Sequence, residues 1–271
     1  MIDENKKIYD CFTFYDENFL VNSRFEILND VVDYFVISES KFDHLGNKKK
    51  LNFKLLNNKF KNKLRYIVIE EQFPNPKKGW ENEKYQREKL NLGIMDATDN
   101  DYIMYSDSDE IPNPEQIKSL SLKNDYGIFM QKCFVFKLNI FNQYESPWEG
   151  TRVCKKKKFK SFTHLRKKIL KKNIFKPFWK FNTIKKIDIL DNGGWHFNNL
   201  YSPEKISQKL KVFPHQEFNS KEYTDLEKIK NKINNLQDLF GRGHTYQKVK
   251  IDKTYPTYFF KNANNLKNYI L

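Results

Sequence analysis

The chain has 271 residues, of which 39% are hydrophobic and 31% charged, and its formal net charge is +15. With 24 Phe and 15 Tyr it can bury a core, which excludes an intrinsically disordered chain. No run of about 18 apolar residues is present, so no transmembrane helix is predicted. The three cysteines form no C-x-x-C pair, which argues against a disulfide framework or a zinc ribbon.

In the first part of the chain, short apolar runs alternate with stretches of helical spacing. The predicted strands are 8–12, 33–38, 65–69 and 102–105, and the predicted helices are 17–30, 53–63 and 81–95. Alternation of strands and helices at this spacing is typical of a parallel sheet with helices on its faces. We expect this arrangement in residues 1–122.

Beyond residue 122 the pattern becomes richer in strands. The predicted elements are a long strand at 126–138, its return partner at 140–144, a strand at 184–190, a turn at 191–194, and helices from Ser202 and over 221–238. The chain contains no internal repeat and no linker rich in Pro, Gly and Ser. We therefore predict a single domain over 1–271, with halves 1–122 and 123–271.

The positive charge is concentrated in one segment of the second half. Residues 155–187 hold fourteen Lys or Arg and no Asp or Glu, which is almost the whole net charge. Apolar residues such as Phe162, Ile174 and Trp179 lie between the basic ones. The segment is either a solvated loop or a patch that contacts membrane lipid or nucleic acid. The mixed pattern suits an amphipathic helix on a membrane surface, and it would also fit base stacking.

Acidic residues follow several of the predicted strands. Asp10 lies in the first strand, Glu39 follows the second, and Asp107, Asp109 and Glu110 follow the fourth. Because ligands of open parallel sheets bind outside the carboxyl ends of the strands, these acids mark the edge where a ligand is expected.

The sequence contains neither G-x-G-x-x-G nor G-x-x-x-x-G-K-[ST], so a glycine-rich phosphate loop is not expected. The phosphates of a bound nucleotide would then be neutralised by a divalent cation, and Mg²⁺ and Mn²⁺ prefer oxygen ligands. Asp107 and Asp109 supply two carboxylates at a strand end. The alternative is that one of them caps a helix that begins near Asn113.

The order of several motifs resembles glycosyltransferase family 17. The motifs are IYDCFTFYDE at 8–17, DVVDYFVISES at 30–40, YQRE at 85–88, YSDSDEIP at 105–112, GGWHF at 193–197 and PHQEF at 214–218. They extend over most of the chain, from residue 8 to about residue 218. Their ordered combination carries the resemblance.

The resemblance implies an α/β fold of the GT-A type, with a mostly parallel central sheet flanked by helices. Residues 1–122 would be the nucleotide-binding half and 123–271 the acceptor-side half with its basic insertion at 155–187. The implied reaction is an inverting transfer of a sugar, N-acetylglucosamine from UDP-N-acetylglucosamine, to a hydroxyl of a glycan or glycolipid acceptor. The implied cofactor is Mn²⁺ or Mg²⁺.

The family's motifs also assign roles to individual residues. Asp107, Asp109 and His196 would hold the metal, whereas His196 without the resemblance would be read as structural. The residues expected at the nucleotide sugar are Asp10, Phe12 and Glu39 at the uridine end, Gln86 and Arg87 on the helix before the fourth strand, and Ser106 and Asp107. Arg87 could approach a phosphate or fix an aspartate.

An inverting enzyme needs a general base for the acceptor hydroxyl, and this is normally Asp or Glu. The candidates are Glu217 and Asp191, with Glu149 as a third choice; each can also be read as a surface acid or a helix cap. Trp148 or Trp195 could offer an apolar face to a sugar ring or belong to the core.

The expected localisation is cytoplasmic, because MIDENKKIYD contains no apolar signal region and the family likeness begins at about Ile8, leaving no room for an anchor. Peripheral contact with the inner face of an anionic membrane through 155–187 is a further expectation.

Two other functions remain open from the sequence. A sugar-nucleotide nucleotidyltransferase would also use a carboxylate-bound metal, but it would normally carry a glycine-rich basic loop near its N-terminus. A nucleic-acid-binding module would use the basic segment and would leave the acids at 107–110 without a role. A nucleic acid partner is therefore not expected.

Overall fold

The computed structural model describes residues 6–75, 78–167, 187–212 and 220–271. Within these residues one sheet extends through both halves of the chain. Its strands are β1 (Ile8–Thr13), β2 (Tyr34–Ser40), β3 (Leu64–Ile69), β4 (Tyr102–Ser106), β5 (Glu110–Pro112), β6 (Tyr126–Val135), β7 (Ile140–Phe141), β8 (Trp148–Lys155), β9 (Ile187–Asn198) and β10 (Gln247–Lys248).

Helices pack against this sheet, and several of them lie in the second half of the chain. They are α1 (Asn18–Leu28), α2 (Gly79–Lys89), α3 (Pro114–Lys118), α4 (Phe162–Arg166), α5 (Pro203–Val212), α6 (Lys221–Thr224), α7 (Leu226–Asn234) and α8 (Thr257–Asn262). Short 3-10 helices lie at Asn58–Lys63, Leu90–Ile94, Lys156–Lys158, Ala263–Asn265 and Lys267–Tyr269.

The first half of the sheet is parallel, as the alternating pattern predicts. Its strands lie in the order β3–β2–β1–β4, and β1 pairs with both β2 and β4. The register sets Phe12 opposite both Ile37 and Ser106, so the carboxyl ends of three strands meet at one edge. This edge is the one where a ligand is expected.

The second half of the sheet is joined to the first by antiparallel pairing. Strand β8 pairs with β4 on one side and with β6 on the other. Strand β9 runs parallel to β6 and pairs antiparallel with β5, which directly follows the Asp107–Asp109 turn. The α/β class is confirmed, and the sheet is mixed: parallel pairing dominates the first half, and antiparallel pairing links it to the second.

The stretch predicted as a turn at 191–194 is a bulge inside β9. Phe129 pairs with Leu190 and Gln131 with Gly194, so three residues of β9 lie opposite one of β6. Gly194 has φ +132°, and a Cβ there would lie 2.2 Å from the Ile111 carbonyl oxygen. Glycine is needed here because the two backbones approach so closely, and the bulge lets β9 continue to His196.

The core lies on both faces of the parallel strands and is rich in aromatic residues. On one face Phe25 of α1 packs against Phe35, with ring centroids 4.6 Å apart, and against Phe60 at 5.5 Å. On the other face Tyr105 packs against Phe162 of α4 at 5.9 Å. Complete burial of such rings stabilises the fold by roughly 1.5–3 kcal/mol per side chain.

Several predicted elements differ from the observed ones. The helix predicted at 53–63 is a 3-10 helix at Asn58–Lys63, and 221–238 divides into α6 and α7 because Asp225, extended at φ −68° and ψ 125°, separates them and caps α7. Strand β8 was not predicted.

In the described part of the chain no helix is both long and apolar enough to cross a membrane. Of the basic segment, residues 168–186 lie outside the described residues.

Candidate active site

The Asp107–Asp109 stretch is a tight turn held at both ends by backbone hydrogen bonds. The Glu110 N–H donates to the Asp107 carbonyl at 3.1 Å, and the Phe197 N–H donates to the Asp109 carbonyl at 2.8 Å. Helix α3 is capped by Asn113, whose side chain accepts from the Glu115 N–H at 3.1 Å. The alternative that Asp107 or Asp109 caps this helix is therefore wrong.

Asp109 and His196 lie together although 87 positions separate them in the chain. The pairing of Glu110 with His196 across β5 and β9 brings the His196 Nε2 to 3.6 Å from the Asp109 Oδ1. The imidazole is buried, with its Nδ1 at 3.7 Å from the Cys133 Sγ and its ring 4.7 Å from that of Trp148. Burial acts to lower the pKa of His196, but Asp109 and Cys133 together outweigh it, so this pKa lies well above its usual value.

Glu110, the third acid of this cluster, supports the turn from its buried side. Its carboxylate is fully buried and accepts from the Trp148 Nε1–H at 2.8 Å and from the Asp107 N–H at 3.1 Å. Burial and the neighbouring Asp107 raise the pKa of Glu110. Trp148 is thus fixed by its polar end, while its ring faces His196.

Asp107 is the more open of the two aspartates, with 34% of its side chain exposed. Its carboxylate accepts from Arg166 at 2.8 Å and from the Tyr105 hydroxyl at 3.4 Å. Burial acts to raise the pKa of Asp107, but Arg166, Arg87 and Arg152 outweigh it and bring the pKa to about 2. The carboxylate is therefore ionised at neutral pH.

Two of these arginines lie on α2 and on β8, the antiparallel partner of β4. Arg87 of α2 donates to the Tyr105 hydroxyl at 3.0 Å and pairs with Glu83. Arg152 of β8 is buried and donates to the Gly150 carbonyl at 2.5 Å. The strand end thus combines several carboxylates with three guanidinium groups.

The residues expected at the uridine end are occupied by partners within the protein. Asp10 and Phe12 are fully buried; Asp10 is paired with Arg24, and Phe12 lies beneath the Arg24 guanidinium at 4.7 Å. Ser106 accepts from Arg24 at 2.8 Å and lies 2.7 Å from the Thr151 hydroxyl. These side chains support the edge from inside the fold.

Glu39 holds the loop that follows β2. Its buried carboxylate accepts four hydrogen bonds: from the Lys49 ammonium at 2.6 Å, the Asn52 N–H at 2.7 Å, the Phe53 N–H at 3.1 Å and the Tyr66 hydroxyl at 2.7 Å. The loop from residue 41 to residue 53 is therefore fastened over the carboxyl end of β2.

Gln86 connects three parts of the same edge. Its amide donates to the Ser38 carbonyl at 2.9 Å and to the Phe14 carbonyl at 3.2 Å, and its oxygen lies 2.9 Å from the His44 Nε2. The ends of β1 and β2 and the 41–53 loop are thus held in fixed positions relative to one another.

Of the two candidate bases, Asp191 lies within the described residues. Glu217 lies outside the described residues. Asp191 is exposed in the β9 bulge and lines a cavity of about 300 Å³ together with Gln131 and Lys132. The third choice, Glu149, is buried next to Trp148.

A second cavity, of about 420 Å³, was not anticipated from the sequence. It is lined by acidic, aromatic and basic side chains, among them Glu17, Phe19, Tyr201 and Lys205. Burial raises the pKa of Tyr201 well above its usual value, and the charges of Glu17 and Asp109 act in the same direction. The adjacent acids Asp16 and Glu17 at the end of FTFYDE, which line this cavity, were its signal in the sequence.

The donor set fits a divalent cation that shares its coordination with a ligand. The described residues contain no group of three or more His, Cys, Asp and Glu side chains able to hold a metal by themselves. One or two carboxylates completed by substrate phosphates are, however, the usual arrangement for Mg²⁺. The Asp109 Oδ1 and the His196 Nε2 lie 3.6 Å apart, close enough for both to bind one cation.

Sequence reasoning missed Arg24, Arg152 and Arg166. An arginine among the apolar residues of a predicted helix, as in NFLVNSRFEIL, is a signal of a buried ion pair. Arg166 belongs to the basic segment 155–187, which the sequence predicts as a solvated loop or a surface patch.

Comparison with known proteins identifies the family. The model of glycosyltransferase family 17 matches residues 1–270. No curated protein matches the chain significantly. Two solved structures that resemble it are of glucosyl-3-phosphoglycerate synthase from Mycobacterium tuberculosis. One contains Mn²⁺, uridine diphosphate and phosphoglyceric acid, with 11% identity, 69% of each chain covered and a TM-score of 0.35. The other contains Mn²⁺, UDP-glucose and phosphoglyceric acid, with 12% identity, 69% of this chain and 70% of that chain covered, and a TM-score of 0.36.

A third structure, of a mycobacterial protein, has 11% identity, 77% of this chain and 75% of that chain covered, and a TM-score of 0.38. The assignment rests on the family match, which extends over almost the entire chain: this protein belongs to glycosyltransferase family 17.

Proposed function

We propose that this glycosyltransferase is metal-dependent and inverting, and that it transfers N-acetylglucosamine from UDP-N-acetylglucosamine to a hydroxyl of a glycan or glycolipid. The observation that carries the metal dependence is the convergence of Asp109 and His196 beside the ionised Asp107 at the carboxyl edge of the sheet. The donor sugar follows from the family resemblance.

Asp107, Asp109 and His196 would hold Mn²⁺ or Mg²⁺ together with the diphosphate oxygens of the donor, because among the described residues no three such side chains form a metal site alone. The cation would neutralise the charge that develops on the leaving diphosphate. His196 is oriented by contacts on both sides, with Cys133 at its Nδ1 and Trp148 on its ring. Such outer contacts fix the direction in which a ligating imidazole points.

The nucleotide would lie along the ends of β1, β2 and β4. In this proposal the uridine-end residues act mainly by keeping that edge rigid. The polar groups of Asp10, Glu39, Gln86 and Ser106 are bonded within the protein, and buried Phe12 packs against the Arg24 guanidinium. Pre-formed walls reduce the ordering cost of binding. Arg87 acts beside Asp107 at the phosphate end.

The chemical step is a single displacement at the anomeric carbon. The bond from that carbon to the diphosphate oxygen breaks while the bond to the acceptor oxygen forms, and the acceptor proton passes to a carboxylate base. Asp191 and Glu217 remain the proposed bases. Asp191 has the advantage of facing an open cavity on β9, the strand that also carries His196.

The acceptor is proposed to reach the metal from the second half of the chain. The 420 Å³ cavity next to Tyr201 combines aromatic faces with carboxylates, which suits a sugar with apolar faces and hydroxyl groups. A glycolipid acceptor would agree with membrane contact through the basic segment 155–187. This contact and a cytoplasmic location are part of the proposal.

The direct test is release of uridine diphosphate from UDP-sugars in the presence of Mn²⁺, with and without EDTA. We expect slow hydrolysis of UDP-N-acetylglucosamine that EDTA abolishes and added Mn²⁺ restores. A screen of acceptors then follows the same product. Turnover that is insensitive to EDTA contradicts the metal dependence, and pyrophosphate release from UTP and a sugar phosphate would favour the nucleotidyltransferase.

A further inference from the structure

Three arginines from α2, β8 and α4 lie near Asp107, and they differ in their partners. Arg87 is paired with Glu83 and donates to the Tyr105 hydroxyl. Arg152 donates to the Gly150 carbonyl. Arg166 donates to the Asp107 carboxylate itself.

Arg166 is the member of this group with spare hydrogen-bonding capacity. One of its terminal nitrogens donates to Asp107 at 2.8 Å, while its buried Nε–H has no hydrogen-bond partner among the described residues. The side chain is 26% exposed, so it borders the open side of the turn. A buried donor without an acceptor costs free energy that a ligand oxygen would recover.

The chemistry of the missing partner follows from the shape and position of the guanidinium. Its planar fork of five N–H donors matches a phosphate or carboxylate better than a neutral group. It lies at the strand end where Asp107 would share a cation with the donor's diphosphate. A carboxylate that shares a cation no longer requires a guanidinium, which frees Arg166 for the phosphate oxygens.

We propose that Arg166 is a residue of the diphosphate site, paired with Asp107 in the empty enzyme and bonded to the terminal phosphate of the nucleoside diphosphate in the loaded one. The inference rests on the proposed function. It also gives one charge of the basic segment 155–187 a role inside the active site.

The test compares binding of uridine diphosphate, uridine monophosphate and uridine, each measured by calorimetry with Mn²⁺ present. The variants are Arg166→Gln and Arg166→Lys, and the control is Lys167→Ala, which removes the next, exposed basic side chain. We expect Arg166→Gln to weaken uridine diphosphate binding about ten- to hundredfold, as loss of a charge-assisted bond does. Arg166→Lys should recover part of the loss, and uridine binding and the control should stay unchanged.

Equal weakening of uridine and uridine diphosphate would overturn the inference, because it would mean that Arg166 only supports the fold. Unchanged diphosphate binding in Arg166→Gln would overturn it as well, while leaving the proposed function intact. If the wild-type protein binds uridine but no diphosphate, the proposed function fails together with the inference. Melting temperatures of all variants identify any loss of folding.

Discussion

Asp10 and Arg24 form a fully buried ion pair beneath the active-site edge, and the same guanidinium also donates to the Glu110 carbonyl and the Ser106 hydroxyl. Arg24 therefore connects α1 and β1 to both sides of the Asp107–Asp109 turn. Both partners have 0% exposed side-chain area, so neither charge can be solvated if the other is lost.

Arg24→Met should destabilise the protein by about 3–5 kcal/mol, because it leaves Asp10 as an uncompensated buried charge. Unfolding in urea measures the loss. Adding Asp10→Asn to this variant should recover part of it, since the unpaired charge is then removed. The control is Lys59→Ala, which removes a surface pair with Glu26 and should cost at most about 1 kcal/mol. Equal effects of Arg24→Met and Lys59→Ala would contradict this account.

Asp109→Asn should weaken Mn²⁺ binding in the presence of uridine diphosphate by at least about a hundredfold, because it removes a proposed metal ligand. Its melting temperature should remain close to that of the wild type, since Asn113 and not Asp109 caps α3, and the buried His196 can lose its proton when Asp109 carries no charge. Electron paramagnetic resonance of free Mn²⁺ measures the affinity.

The matched control for Asp109→Asn is Glu115→Gln, whose side chain is 73% exposed on α3 a few residues further along the chain. It should bind Mn²⁺ as the wild type does. Retained Mn²⁺ affinity in Asp109→Asn would argue against Asp109 as a ligand, and loss of folding would argue for a structural role.

Glu39→Gln should loosen the loop from residue 41 to residue 53. The amide keeps the side-chain volume, but its NH₂ group cannot accept the hydrogen bonds that one carboxylate oxygen receives. We expect a loss of about 1–3 kcal/mol, faster amide exchange in this loop, and a higher KM for the donor. Hydrogen exchange that stays unchanged in residues 41–53 would rule out this role for Glu39.

The sequence predicted the parallel half of the sheet well and the interior of the site poorly, for one physical reason. Continuous apolar runs such as YIMYS specify a buried strand locally, and an acid after such a run specifies the ligand edge. Partners from distant parts of the chain leave no local signal. Arg24 reaches Glu110 across 86 positions, and the bulge at 191–193 depends on the close approach of Ile111 to Gly194. Only the family resemblance pointed to His196.

Asp238 provides a pH-dependent test away from the active site. Its buried carboxylate accepts from the Arg242 guanidinium at 2.6 Å and from the Tyr246 hydroxyl at 3.0 Å. Burial acts to raise the pKa of Asp238, but the hydrogen bonds from Arg242 outweigh it and hold this pKa below its ordinary value. Because the pKa is depressed in the folded state, the stabilisation is fully present above the unfolded value of about 3.9 and disappears as pH falls through the folded value.

Asp238→Asn should therefore lower the free energy of unfolding at pH 7, by about 1–3 kcal/mol, and the gap to the wild type should narrow steadily below about pH 4. Urea unfolding of both proteins between pH 7 and pH 3 measures this difference. A gap that stays constant over the whole range would show that the carboxylate charge of Asp238 has no part in stability.

The most direct measurement is the anomalous scattering of a crystal soaked with Mn²⁺ and uridine diphosphate. The account predicts one strong manganese peak within about 2.1–2.2 Å of an Asp109 carboxylate oxygen and of the His196 Nε2, with diphosphate oxygens completing the coordination. Bound uridine diphosphate with no manganese at this pair, or manganese held elsewhere in the molecule, would contradict it.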